Sequence, residues 1–89
     1  MGEVCRFKFD THVSKQMIEE QIALAIITAE CTFGKPKVRI HAGYISSDAE
    51  AAIDVSGEVG EHIAQVFTGL MSRQVGEENF RVERIVTKK

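Results

Sequence analysis

The seven residues SGEVGEH, at positions 56–62, are the stretch best suited by residue type to bind a phosphate. Free N–H groups at the start of a helix favour anions, and glycines allow a ligand to approach the backbone. The spacing matches neither the G-x-G-x-x-G pattern nor a P-loop. Glu58 and Glu61 would also repel an anion, so we expect the glycines to serve a tight strand-to-helix turn. The candidate ligand loop is formed by Ser56, Gly57, Gly60 and His62.

Metal-ligating residue types are present but widely spaced. They are His12, His41, His62, Cys5 and Cys31. No C-x-x-C, H-x-H or H-x-x-x-H pair brings two of them together along the chain. We therefore expect no metal site and no cofactor.

Two residues are candidates for catalysis. Cys31 would need a neighbouring base and a polar pocket to act as a nucleophile. It follows Leu24 and Ile27 on a predicted helix, which favours an inert, protonated thiol. His41 could serve as an acid or base in a cleft at a sheet edge. With no partner evident for either residue, the sequence favours a non-catalytic protein.

The composition limits the classes of partner. The 89 residues suit one small domain, with a disordered tail expected at residues 87–89. The formal charge of −2, with acidic and basic residues mixed, argues against general nucleic-acid binding and against a polybasic membrane anchor. No apolar run is long enough to cross a bilayer, and the start of the chain lacks the apolar core of a signal peptide. We expect a cytoplasmic protein with reduced cysteines and no membrane partner.

The longest helical pattern, from Ser14 to Phe33, is apolar on two sides. With about 100° per residue, one side carries a core-facing stripe. Its members are Ile18, Ile22, Ala25, Ile26, Ala29 and Phe33. The far side carries a second apolar stripe, which consists of Met17, Leu24, Ile27 and Cys31. A helix that is apolar on both faces is usually covered on both, so we expect a second subunit here. Scattered surface apolar residues are the simpler alternative.

Four stretches have the alternation typical of strands, at Val4–Phe9, Lys37–Ile45, Glu50–Val55 and Phe80–Val86. A second helix is predicted from a cap at Ser56 to about Val75. Its predicted core face is Val59, Ile63, Val66, Phe67 and Leu70. In the last strand Arg84 falls where an apolar residue is expected, so a bulge near Glu83 is predicted to restore the register.

The resulting order, β-α-β-β-α-β, predicts an α+β ferredoxin-like sandwich. Its four strands would form one antiparallel sheet in the order 4-1-3-2, with two helices on one face. The other sheet face would carry Arg6, Lys8, Arg39 and His41. Such a face could be solvated, pack on a subunit or bind single-stranded nucleic acid. Nucleic acid is not expected, because sheets that bind it stack bases on aromatic residues, and alternation directs the strand phenylalanines to the core.

The sequence thus predicts a non-catalytic cytosolic assembly or interaction module that works as a homo-oligomer, most simply a dimer. ACT-type regulatory domains resemble this chain in the order of their elements. They bind amino acids between subunits, near the start of a helix that follows a strand. That resemblance implies a small-molecule ligand near residues 56–62 as an alternative function. A small ferredoxin-like enzyme is the third.

Overall fold

The computed structural model describes residues 2–87, which form an α+β arrangement of four strands and three helices. The elements follow one another as β1 (Gly2–Phe9), α1 (Lys15–Phe33), α2 (Lys35–His41), β2 (Tyr44–Ser47), β3 (Glu50–Asp54), α3 (Glu58–Val75) and β4 (Phe80–Thr87). A 3₁₀ turn, Glu77–Asn79, joins α3 to β4. Of the tail expected to be disordered, Lys88 and Lys89 lie outside the described residues, and Thr87 ends β4.

The four strands form one antiparallel sheet in the order β2-β3-β1-β4. Read from the β4 edge, the same neighbours run β4-β1-β3-β2. The central strand β1 pairs with β3 on one side and with β4 along its whole length on the other. Strands β2 and β4 are the edges of the sheet, and β2 is the shorter of the two.

The core lies between the helices and one face of the sheet. Cys5, Phe7 and Phe9 alternate along β1 as inward residues, as the sequence predicts, and all three are buried. Helix α1 contributes Ile18 and Ile22 to the same cluster. The remaining buried apolar residues of the cluster are Val13, Ala25, Ala29, Val38, Ala51, Ile53, Val55, Val59, Ile63, Ala64, Phe67 and Met71. Four phenylalanine rings meet in the cluster or at its margin, with Phe7 and Phe67 in edge-to-face contact at 4.8 Å between centroids.

The predicted strand over residues 37–45 is wrong, because most of that stretch forms α2. Gly34, with a φ of 89°, separates α1 from α2, and Pro36 lies in the first turn of the new helix. The fixed φ of proline suits a first turn, where its missing N–H costs no bond. The N–H of Ala42 bonds to the carbonyl of Val38 and closes the last turn. Only Val38 of the alternating apolar residues is buried, while Ile40 is 76% exposed.

The predicted bulge near Glu83 is also wrong, because β4 pairs with β1 in an unbroken register from Phe80 to Thr87. Arg84 therefore lies opposite Cys5, on the helix-bearing side of the sheet. Its guanidinium pairs with the carboxylates of Glu3 and Glu61, and these hydrogen bonds raise the pKa of Arg84. An arginine is tolerated at this inward position because it is half-exposed at the sheet edge and neutralised from two elements.

Candidate functional site

Helix α1 presents one buried face and one apolar face that nothing in the described chain covers. Leu24 is 48% exposed and Ile27 is 54% exposed, and Cys31 is exposed beside them. Their spacing of three and four residues places them on one line along the helix. We call these three residues the outer α1 stripe. They lie roughly opposite Ile18 and Ala29, which are fully buried.

Local interactions fix where α1 begins and ends. The hydroxyl of Ser14 accepts a hydrogen bond from the N–H of Met17 at 3.1 Å, so Ser14, where the predicted helix begins, is its N-cap. Gly34 ends the helix, and its N–H bonds to the carbonyl of Glu30. The hydroxyls of Thr28 and Thr32 donate to carbonyls one turn earlier, so they are bonded to the helix itself. The outer α1 stripe is thus held on a rigid 19-residue helix.

Met17 does not belong with the other three residues. Its side chain is half-buried and packs against the core, and its sulfur accepts a hydrogen bond from Nε2 of Gln21 at 3.6 Å. Gln21 is itself 5% exposed, and its Oε1 has no protein partner. The spacing of about 100° per residue puts Met17 at the edge of the outer face of α1. From that position its long, flexible side chain can fold back onto the core.

Ser56 and Gly60 of the candidate ligand loop make contacts within the chain. The Ser56 hydroxyl accepts from the N–H of Glu3 at 3.0 Å, and it does not cap α3. The cap residue is Gly57. A Cβ at Gly60 would lie 1.8 Å from the carbonyl oxygen of Asp54, so this glycine allows α3 to approach the end of β3. Gly60 thus serves the strand-to-helix turn, whereas a Cβ at Gly57 would meet nothing within 4 Å.

Asp54 organises the same turn. Its Oδ1 accepts from the N–H of Ser56 at 2.8 Å, and hydrogen bonding to Ser56 lowers the pKa of the Asp54 carboxyl. A group with a lowered folded-state pKa stabilises the fold above its unfolded pKa, and the stabilisation is lost as the pH falls through the folded value.

We expect Asp54→Asn to destabilise the protein at pH 7 by at most about 1 kcal/mol, because the side chain is exposed and water screens the interaction. The difference between the variant and the original chain should vanish at a pH below the lowered folded-state pKa of Asp54, where both carry an uncharged side chain. Urea unfolding at the two pH values measures it. A difference that is the same at both would show that the charge of Asp54 plays no part.

His62 lies at a corner where the three helices meet. Its ring makes an edge-to-face contact with Phe33, at 5.5 Å between centroids, and its Nε2 is buried without a protein hydrogen-bond partner. The ammonium of Lys37 lies 5.2 Å from the centre of the Phe33 ring and pairs with Glu58. That hydrogen bond lowers the pKa of Glu58, and the charge of His41 acts in the same direction. These contacts hold α2 against α1 and α3.

The predicted basic face is divided between two elements. Arg6 and Lys8 are exposed on the open face of the sheet, as predicted, and Lys8 pairs with Glu83 at 3.4 Å. Arg39 and His41 are not on the sheet, because both lie on α2. The open face holds two shallow clefts of about 160 and 390 Å³ that share Arg6, Ile45 and Ala52. The carboxylate that lines the smaller cleft is Glu50, and the larger cleft is lined by Asp54 and Tyr44.

The two cysteines have different surroundings. Cys5 is 7% exposed, and burial raises the pKa of its thiol, with the charge of Arg84 acting in the opposite direction. It is therefore a protonated core residue. Cys31 is exposed rather than covered. The described residues contain no group of three or more potential metal ligands. Within residues 2–87, none of the helices has the length and apolarity to cross a membrane.

Comparison with protein-family models and with curated protein sequences finds no match for the chain. Among the described residues, the exposed large apolar side chains outside α1 are Ile40, Tyr44, Ile45, Val82 and Val86. Alternation along residues 80–86 predicts an inward, buried Val82, but its side chain is 44% exposed. The position of β4 at the sheet edge was the signal that could have identified it.

Proposed function

We propose that this chain is a non-catalytic, cytosolic, ferredoxin-like assembly module that works as a homo-oligomer through the outer α1 stripe. The β-α-β-β-α-β order, with α2 as an additional short helix before the second strand, supports the ferredoxin-like assignment. The observation that carries the functional proposal is the exposure of Leu24 and Ile27 on the side of α1 turned away from the core.

The size of the stripe indicates how tight such a contact can be. Covering a few hundred Å² of apolar surface contributes several kcal/mol at about 25 cal/mol per Å². Lost translational and rotational freedom costs roughly 4 to 15 kcal/mol, which offsets most or all of that gain. Stable interfaces bury about 1,600 Å² in total, which is more than three side chains can supply. The stripe therefore accounts for the centre of a weak dimer contact with an expected Kd in the micromolar range or weaker.

We expect the double variant Leu24→Gln/Ile27→Gln to weaken this association without unfolding the monomer. Both side chains are about half-exposed, so replacing them removes little burial from the fold but places polar groups at the contact. The dissociation constant should rise at least about tenfold, which corresponds to 1.4 kcal/mol. Sedimentation velocity over a concentration series measures the change, and thermal unfolding monitors the monomer.

Ile40→Gln is the matched control, since Ile40 is a 76% exposed isoleucine on α2 and receives the same chemical change. It should leave the association unchanged. An equal loss in the control and the double variant would show that the effect is general hydrophobicity rather than the stripe.

No observation favours the other two functions. At residues 56–62 the Ser56 hydroxyl accepts a hydrogen bond from the N–H of Glu3, and the Gly60 backbone packs on Asp54. His41 lies exposed on α2 near Glu58 and Lys37, and no cleft described above includes it.

A further inference from the structure

The free edge of β4 carries unpaired backbone groups at alternate residues. The Glu3 carbonyl accepts from the N–H of Val55 at 2.9 Å, so odd-numbered residues of β1 direct their backbone groups toward β3. The N–H of Asp10 instead bonds to the Asn79 carbonyl, on the β4 side. Antiparallel pairing alternates in this way along the whole ladder. The N–H and C=O groups of Phe80, Val82, Arg84 and Val86 therefore point outward from the edge.

The edge also carries an unbalanced charge. On the open face of the sheet, Arg81 lies directly opposite Lys8, and like charges in such a pair repel. Lys8 is balanced by Glu83 at 3.4 Å. Within residues 2–87, no carboxylate lies at ion-pair distance from Arg81. The last strand thus presents a cation with no acidic partner beside a row of free backbone groups.

We infer that β4 pairs edge to edge with β4 of a second copy, in the antiparallel register that places Val82 opposite itself. That register sets Arg81 of each copy opposite Glu83 of the other, on the open face of both sheets. The backbone groups of Phe80, Val82 and Arg84 exchange hydrogen bonds across the seam. The half-exposed Val82 side chains meet on the helix-bearing side.

Charge selects this register over its neighbours. Two-fold symmetry requires paired residues to lie on the same sheet face. The other centres that pair at least five residues of β4 are Glu83, Arg84 and Ile85. A seam centred on Glu83 puts two carboxylates together, and one centred on Arg84 puts two guanidinium groups together. A seam centred on Ile85 pairs the same length of β4 as the Val82 seam but leaves Arg81 without a partner. Only the seam centred on Val82 places each Arg81 opposite a Glu83 of the other copy.

This surface is separate from the outer α1 stripe and does not depend on it. The test therefore uses the Leu24→Gln/Ile27→Gln background, in which the stripe is disabled. We expect Arg81→Glu to weaken the remaining self-association at least about tenfold, because two like-charge pairs then face each other across the seam. Glu83→Arg should do the same. Mixing the two variants should restore association, since the mixed pair is again complementary. Equal association of all three samples in sedimentation velocity would overturn the inference.

Hydrogen exchange supplies a second readout that a misfolded variant cannot imitate. In the same background, the amides of Val82 and Arg84 should exchange rapidly in dilute solution and slow at least about tenfold as the concentration rises. The amides of Arg81 and Glu83 bond to β1 and should be protected at every concentration, which makes them internal controls. Val82 and Arg84 amides that exchange equally fast at all concentrations would contradict the proposed seam.

Discussion

Replacing Gly60 with alanine should destabilise the protein by more than about 3 kcal/mol and leave little of it folded at elevated temperature. The added Cβ would lie 1.8 Å from the carbonyl oxygen of Asp54 and 3.1 Å from Cα of Val55. Both neighbours are backbone, so the contact is relieved only if α3 moves away from β3. That movement would open the core around Val59 and Ile63, which are 1% exposed. Denaturant unfolding followed by circular dichroism measures the loss.

Gly69→Ala is the matched control, on the same helix and with the same change. A Cβ at Gly69 meets nothing within 4 Å, and the residue lies in the helix interior. We expect this variant to be more stable than the original chain by roughly 0.5 to 1 kcal/mol, because alanine loses less conformational entropy than glycine on forming a helix. The two alanine substitutions should therefore have opposite signs. A Gly60→Ala protein as stable as Gly69→Ala would contradict the close approach of α3 to β3.

Truncating Phe67 to alanine should cost about 3 to 5 kcal/mol. Its side chain is fully buried and makes edge-to-face contacts with Phe7 at 4.8 Å and with Phe9 at 6.1 Å. Removing the ring leaves a cavity between α3 and β1 that the surrounding side chains can fill only in part. Domains of this size have a total stability of about 5 to 13 kcal/mol, so the loss is a large share of it. Thermal and denaturant unfolding measure it.

Tyr44→Ala controls for the loss of an aromatic side chain as such. Tyr44 is 50% exposed on the short edge strand β2, so its truncation should cost less than about 1 kcal/mol. The account of the core is wrong if the two truncations have the same effect on the midpoint of unfolding.

The sequence predicts much of the sheet and the two long helices because their apolar periodicity is strong. The alternation of Cys5, Phe7 and Phe9 identifies β1 and its inward face, and the buried state of all three agrees with it. Ser14 has the hydrogen-bonding group that a helix start requires, and it caps α1. These signals are local, so they hold before any tertiary contact forms.

Helix α2 could not be read in the same way, because its seven residues are too short to show a helical period. Val38 and Ile40 alternate with Arg39 and His41, which is the pattern of a strand. The start of α2 depends instead on the φ of 89° at Gly34 and on Pro36 in the first turn. A proline shortly after a helix is commonly a stop signal, whereas here it lies in the first turn of the next helix.

Arg84 and Met17 show the limit of assigning faces by residue type. A charged residue at an inward position suggested a bulge, but Glu3 and Glu61 come from two other elements to neutralise it. An apolar residue on the far side of a helical wheel suggested exposure, but Met17 folds back onto the core. Spacing along the chain shows neither the two carboxylates beside Arg84 nor the core contacts of Met17, because tertiary packing creates both.

The most direct test of the outer α1 stripe is a two-dimensional NMR dilution series of the original chain, from about 1 mM to about 10 µM. The account predicts that amide signals of Leu24, Ile27 and Cys31 shift together with a single dissociation constant, while those of Ile40 on α2 stay in place. Signals of α1 that do not change over the whole series would contradict the claim that a second copy covers this face.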